Sequence, residues 1–262
     1  MKISVTVLSL ILISLGVVQA ESFDNLERAL ATPQSVTSLS VKDDSNLKHL
    51  PATLGALTNL RELEISCLEN LEDLPAEIGQ LKKLEKLISD NGNGCQMSIS
   101  IPASIGELSS LKVLRLYGAL APREVDSPAA VPASKPKALP ATIAKLQNLE
   151  ELDLGRNGLP SIPAEIASLK KLEKLELDYN SLHEIPSFIG DLKHLRELSL
   201  RSNSVVKLPQ SLSQLSGVKI SMGNNYLKLK EQSELRRQSP YITFDFENEY
   251  DDDAANEDST SN

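Results

Sequence analysis

Residues 140–208 read PATIAKLQNLEELDLGRNGLPSI, PAEIASLKKLEKLELDYNSLHEI and PSFIGDLKHLRELSLRSNSVVKL, three successive units of 23 residues that start at Pro140, Pro163 and Pro186. A fixed period of this size marks a solenoid, in which each unit buries its apolar face against the next. Leu149, Leu152, Leu154, Leu159 and Ile162 recur as Leu172, Leu175, Leu177, Leu182 and Ile185, and again as Leu195, Leu198, Leu200, Val205 and Leu208. The alternation Leu152-Asp153-Leu154 is that of a short strand with one buried face. The opening Pro-x-x-Ile-(Gly/Ala)-x-Leu places proline where a helix tolerates it and spaces Ile166 and Leu169 three apart, which predicts a single helical or 3₁₀ turn.

The units, together with Asn157, Asn180 and Asn203, resemble the leucine-rich repeat, LxxLxLxxNxLxxLPxxIGxL. The resemblance implies an α/β solenoid: a curved, concave parallel sheet with short helical or 3₁₀ turns on its convex side. It also implies a ladder in which Asn157, Asn180, Asn203 and Asn225 bond the backbone of adjacent turns. The chemistry suits the place, because asparagine offers donor and acceptor where the chain bends and leaves buried N–H and C=O groups without partners.

Outward from the regular stretch, strand pairs follow at Leu39/Val41, Leu63/Ile65, Leu87/Ser89, Leu114/Leu116 and, after the regular units, Ile220/Met222, giving about eight strands. Pro51, Pro75, Pro102 and Pro209 keep the same register. The N-terminal units are less regular. Where the asparagine is due they carry Asp44, Leu68, Gly92 and Ala119, and Asn46, Asn70, Asn91 or Asn93 must take over if the loops bulge. Repeats thus span 36–225, with an insertion over 117–138, rich in proline and alanine, that predicts an extended surface loop.

Lys2 followed by an apolar run to Val18 and the small-residue positions before Glu21 predicts a signal peptide over 1–20. Residues 21–35 supply an N-terminal helical cap closed by Pro33. Residues 226–246 resemble the C-terminal cap of secreted bacterial leucine-rich repeat proteins, a helix with Leu235 inward and an edge strand through Tyr241, Ile242 and Phe244. Residues 247–262 belong to an acidic tail, whose composition predicts disorder. Cys67 and Cys95 are the only cysteines and fall just after neighbouring strands. In an exported chain they form a disulfide or remain two thiols.

The formal charge of −9 argues against nucleic acid or an anionic membrane as the main partner. His49, His183 and His194 are isolated, and the chain shows neither a phosphate loop nor GxSxG nor HExxH. The expectation is therefore a non-enzymatic protein with no cofactor, no metal and no membrane span once the leader is removed. None of the fifteen asparagines begins an N-x-Ser/Thr sequon, which favours a bacterial source. Residues alternating with the core leucines face the concave surface. There Arg115, Tyr117, Asp153, Arg156, Glu176, Asp178, Tyr179 and Arg201 include the tyrosine and arginine types that anchor interfaces. Aromatic residues make up only 3% of the chain, so a polypeptide partner fits better than a carbohydrate. The alternative is a structural or envelope-associated repeat protein, since mixed charge also describes a solvated sheet.

Overall fold

The computed structural model describes residues 21–42, 44, 46–91, 95–122 and 135–247. The signal-peptide segment, the middle of the insertion and all of the acidic tail beyond Glu247 lie outside the described residues.

Every strand is parallel to its neighbours, and spatial order equals sequence order from first to last. In chain order the strands are β1 (Glu21–Phe23), β2 (Val36–Lys42), β3 (Glu62–Ser66), β4 (Lys86–Asp90) and β5 (Val113–Arg115). Then come β6 (Glu151–Asp153), β7 (Lys174–Glu176), β8 (Glu197–Ser199), β9 (Lys219–Ser221) and β10 (Thr243–Asp245). Ten strands replace the expected eight or so, because each cap adds one edge strand. At the C-terminal end this is β10, which starts at Thr243 and leaves Tyr241 and Ile242, expected within the edge strand, in the turn before it. At the N-terminal end it is β1, which pairs with β2 through Glu21 N–H donating to Ser35 O at 2.9 Å.

Register follows the leucines. Leu63, Leu87, Leu114, Leu152, Leu175, Leu198 and Ile220 lie side by side across the sheet, and all are buried. Among the described residues, seven five-residue 3₁₀ segments, from Ala52–Ala56 to Gln210–Gln214, form the convex side. Each follows a proline, which starts the turn because its ring presets φ and it has no N–H to leave unpaired. Isoleucine or leucine at the centre of every such segment is buried, so the core is one continuous column between sheet and convex turns.

Two helices close the ends. α1 (Leu26–Ala31) is capped by Asn25, whose Oδ1 accepts from Arg28 N at 2.9 Å. α2 (Leu229–Gln238) begins where Glu231 accepts from Lys228 N at 2.7 Å, and Leu235 is its partly buried contact with the core.

Candidate functional site

The turn after each strand sets the rim of the concave face. Asn157, Asn180 and Asn203 are buried there. Asn180 Nδ2 donates to Leu154 O at 3.0 Å and Leu177 O at 2.9 Å, while its Oδ1 accepts from Asn157 N and Leu159 N. Asn203 and Asn225 repeat this one and two turns on, and Asn157 reaches back to Leu116 O and Leu120 N. In the irregular half Asn91, and not the residue at the repeat position, does the equivalent work: it donates to Met97 O and Gly118 O and accepts from Met97 N. Cys67 and Cys95 are joined by a disulfide with Cα atoms 5.2 Å apart, within the ordinary range.

The residue preceding six of the ladder positions is left-handed: Cys67, Gly118, Arg156, Tyr179, Ser202 and Asn224, all with φ between 51° and 66°. Glycine and asparagine adopt this conformation readily, whereas Arg156 and Tyr179 do so at a cost of about 1 kcal/mol each. Both are exposed. Sequence periodicity missed this conformation, although a glycine and an asparagine in the same column as Arg156 and Tyr179 were a readable sign.

Behind the rim the face is densely charged. Arg115 Nε lies 2.5 Å from Glu151 Oε1, Lys174 Nζ 3.0 Å from Glu176 Oε1, and Arg201 Nη2 2.7 Å from Asp245 Oδ2. The nearby cations thus have partners, one of which, Asp245, is a residue that strand alternation did not single out. Asp153 and Asp178 instead hold backbone amides, Gly155 N–H and Arg201 N–H, each at 2.8 Å. Burial raises the carboxyl of Asp153 to about 6, with the Gly155 amide opposing and Glu176 adding repulsion. Burial likewise raises that of Asp178.

Tyr117 is seated by a missing side chain. A Cβ on Gly155 would stand 2.9 Å from Tyr117 Cδ2 and 3.0 Å from Cε2, so the ring crosses the next strand where only glycine leaves room. Burial raises the Tyr117 phenol, while Arg156 beside its hydroxyl works the other way. The structure therefore brings Tyr117, Asp153 and Arg156 into one group. Arg201 turns toward the C-terminal cap, and Tyr179 stands at the rim with its N–H donating to Arg201 O at 2.9 Å.

A depression of about 180 Å³ lined by Lys174, Glu176, Glu197, Ser199, Arg201 and Lys219 lies on this face. It is smaller than the few hundred Å³ of ordinary small-molecule pockets. Among the described residues, no group of three or more His, Cys, Asp or Glu is placed to hold a metal ion. No helix among them is long and apolar enough to cross a membrane.

No curated protein matches the sequence. Internalin C2 from Listeria monocytogenes is 20% identical over 82% of this chain and 83% of its own, with a TM-score of 0.54. The plant peptide hormone receptor RGFR1, solved in complex with RGF2, is 22% identical over 88% of this chain but only 42% of its own, with a TM-score of 0.52. A leucine-rich repeat protein of Leptospira interrogans is 21% identical over 86% of this chain and all of its own, at a TM-score of 0.40. Residues 131–234 match the family model described as leucine-rich repeat region. With its parallel sheet and serial 3₁₀ turns, the chain has the fold of a leucine-rich repeat solenoid, and its residues 131–234 are similar to that repeat region.

Proposed function

We propose that this protein is an exported, non-catalytic binding module that holds a polypeptide partner on its concave face, around Tyr117, Asp153, Arg156, Glu176, Asp178 and Tyr179, flanked by Arg115 and Arg201. The observation that carries the reading is the pair Arg156 and Tyr179. Two bulky, exposed residues of the interface-anchoring kind occupy left-handed positions, where glycine or asparagine would fold at lower cost. Leucine-rich repeats commonly serve as protein-interaction scaffolds, and one solved protein of this fold is a peptide hormone receptor in complex with RGF2. Export rests on the leader-like segment 1–20.

A structural role without a dedicated ligand is the rival, favoured by ion pairs, Arg115–Glu151 across neighbouring strands and Lys174–Glu176 within one, that let the face satisfy itself. Crosslinked capture from medium and envelope fractions, with the native chain beside the Arg156→Glu/Tyr179→Ala variant, separates the two. One protein held by the native chain and lost by the variant, with unchanged circular dichroism, supports the binding reading. Identical capture by both overturns it.

A further inference from the structure

At the C-terminal end, exposed apolar surface and unmatched positive charge coincide. Among the described residues the exposed large hydrophobic side chains are Tyr179, on the rim, and Val206, Tyr226, Leu229 and Tyr241, all of the last turn and the cap. Between the last 3₁₀ segment, Gln210–Gln214, and α2 lies a groove of about 640 Å³ floored by Leu208, Pro209, Leu212, Leu235 and Phe244. Along the solenoid the 3₁₀ segment of one turn packs against that of the next. Here there is no next turn, and α2 has no fully buried residue.

Of the bases at this end of the chain, Lys207 lines the groove. Among the described residues no carboxylate lies within 4.0 Å of the side-chain nitrogens of Lys207, Lys219, Lys228, Lys230 or Arg236, and only Arg237 of this group is paired, with Glu234. The chain leaves β10 beside them. Phe246 stacks on Phe244 at 5.6 Å and lies 5.0 Å beneath the Arg236 guanidinium. The fifteen residues after Glu247 contain six carboxylates, no basic residue and a single large apolar residue, Tyr250, followed at once by Asp251, Asp252 and Asp253.

We propose that this groove is the docking site of the chain's own C-terminal segment, with Tyr250 seated on Leu212 and Leu235 and the aspartates that follow matched to Lys207 and Arg236. Length permits it: Tyr250 lies four residues beyond Phe246, a reach of roughly 13 Å. Tethering places the segment at an effective concentration on the order of millimolar, which a free acidic partner rarely matches. The occupant covers apolar surface beside the last turn and brings carboxylates to bases that no carboxylate among the described residues approaches within 4.0 Å.

The test is methyl-labelled NMR of the full chain. Contacts from the Tyr250 ring to Leu212 and Leu235 methyls are expected at low salt. They should weaken about threefold or more near 0.5 M salt, where the screening length falls to roughly 4 Å. Tyr250→Ala should shift those methyls and leave Leu63 and Leu87 unmoved. The triple variant Asp251→Asn/Asp252→Asn/Asp253→Asn should weaken the contacts without altering the folded core. Absent contacts with unmoved methyls overturn the proposal. Contacts found only between differently labelled molecules assign the groove to a second copy and overturn it equally. Contacts indifferent to both salt and the triple variant overturn the charge pairing.

Discussion

The two halves of the solenoid meet the same demand by different means. From Asn157 onward every turn is 22 or 23 residues long and one asparagine, buried or half-buried, joins it to the turn before. Before it, the equivalent positions include Leu68 and Ala119, both buried apolar residues that offer no side-chain hydrogen bond. There the Cys67–Cys95 disulfide ties neighbouring turns, and Asn91 serves from a position one residue early. The irregular half also tolerates Ser89, buried in the column that holds Ile65 and Leu116, with no hydrogen-bond partner for its hydroxyl among the described residues. What the solenoid requires is that the bent backbone find partners. It does not require that they be supplied in one way.

If the ladder carries the regular half, Asn180→Ala should have the largest effect. It strips partners from Leu154 O, Leu177 O and Leu159 N at once. At about 1 to 3 kcal/mol for each buried group left unpaired, with some relaxation, the loss is roughly 3 to 5 kcal/mol. Urea unfolding measures it, and hydrogen exchange should show protection falling on both sides of the lesion, since turns hold only through neighbours. A loss under about 1 kcal/mol would mean that the ladder is ornamental and that leucine packing alone sustains the turns.

Removing the cross-link sharpens the contrast. Closing a loop of 28 residues restricts the unfolded chain by roughly 3 to 4 kcal/mol in the chain-entropy account. The Cys67→Ser/Cys95→Ser variant should lose about that much, with exchange rising first in the turns from β3 to β5 and protection around Leu175 and Leu198 retained at low denaturant. Uniform loss along the chain would show that the two halves unfold as one unit and share a single source of stability.

The sequence made the repeats legible because leucines and prolines report one constraint each, burial and turn entry, at fixed spacing. Leu63 to Ile220 could be aligned without coordinates for that reason. The ladder was readable only where its asparagine keeps the period. Asn91 was one of several candidates, because the loop that follows it is longer than its neighbours and period alone cannot say which residue the bend selects. β1 was hidden since three residues carry no periodicity. On the concave face, alternation named Asp153 and Tyr117 but could not show that Gly155 seats the ring, nor that Arg201 pairs with Asp245, 44 residues away. Such contacts depend on which side chains the stacking brings side by side.

The smallest effect concerns a cost that the regular half carries on its face. Asp153 sits among Glu176 and Asp178, and burial raises its carboxyl from 3.8 to about 6. A raised carboxyl means that the folded state holds its proton more tightly than the unfolded chain does. Ionisation therefore works against folding, with a penalty absent below about pH 4, growing as pH rises to 6 and fully present at 7. Asp153→Asn keeps an oxygen for the Gly155 amide and removes the charge. It should stabilise the protein at pH 7 by no more than about 2 kcal/mol, and the difference from the native chain should shrink toward zero near pH 4. Denaturant midpoints of both proteins across that range check the sign. A gain that persists at pH 4 would assign the effect to packing. A loss at pH 7 would mean that the ionised carboxylate is held by its neighbours, Arg115 foremost, and that this part of the concave face contributes to the fold.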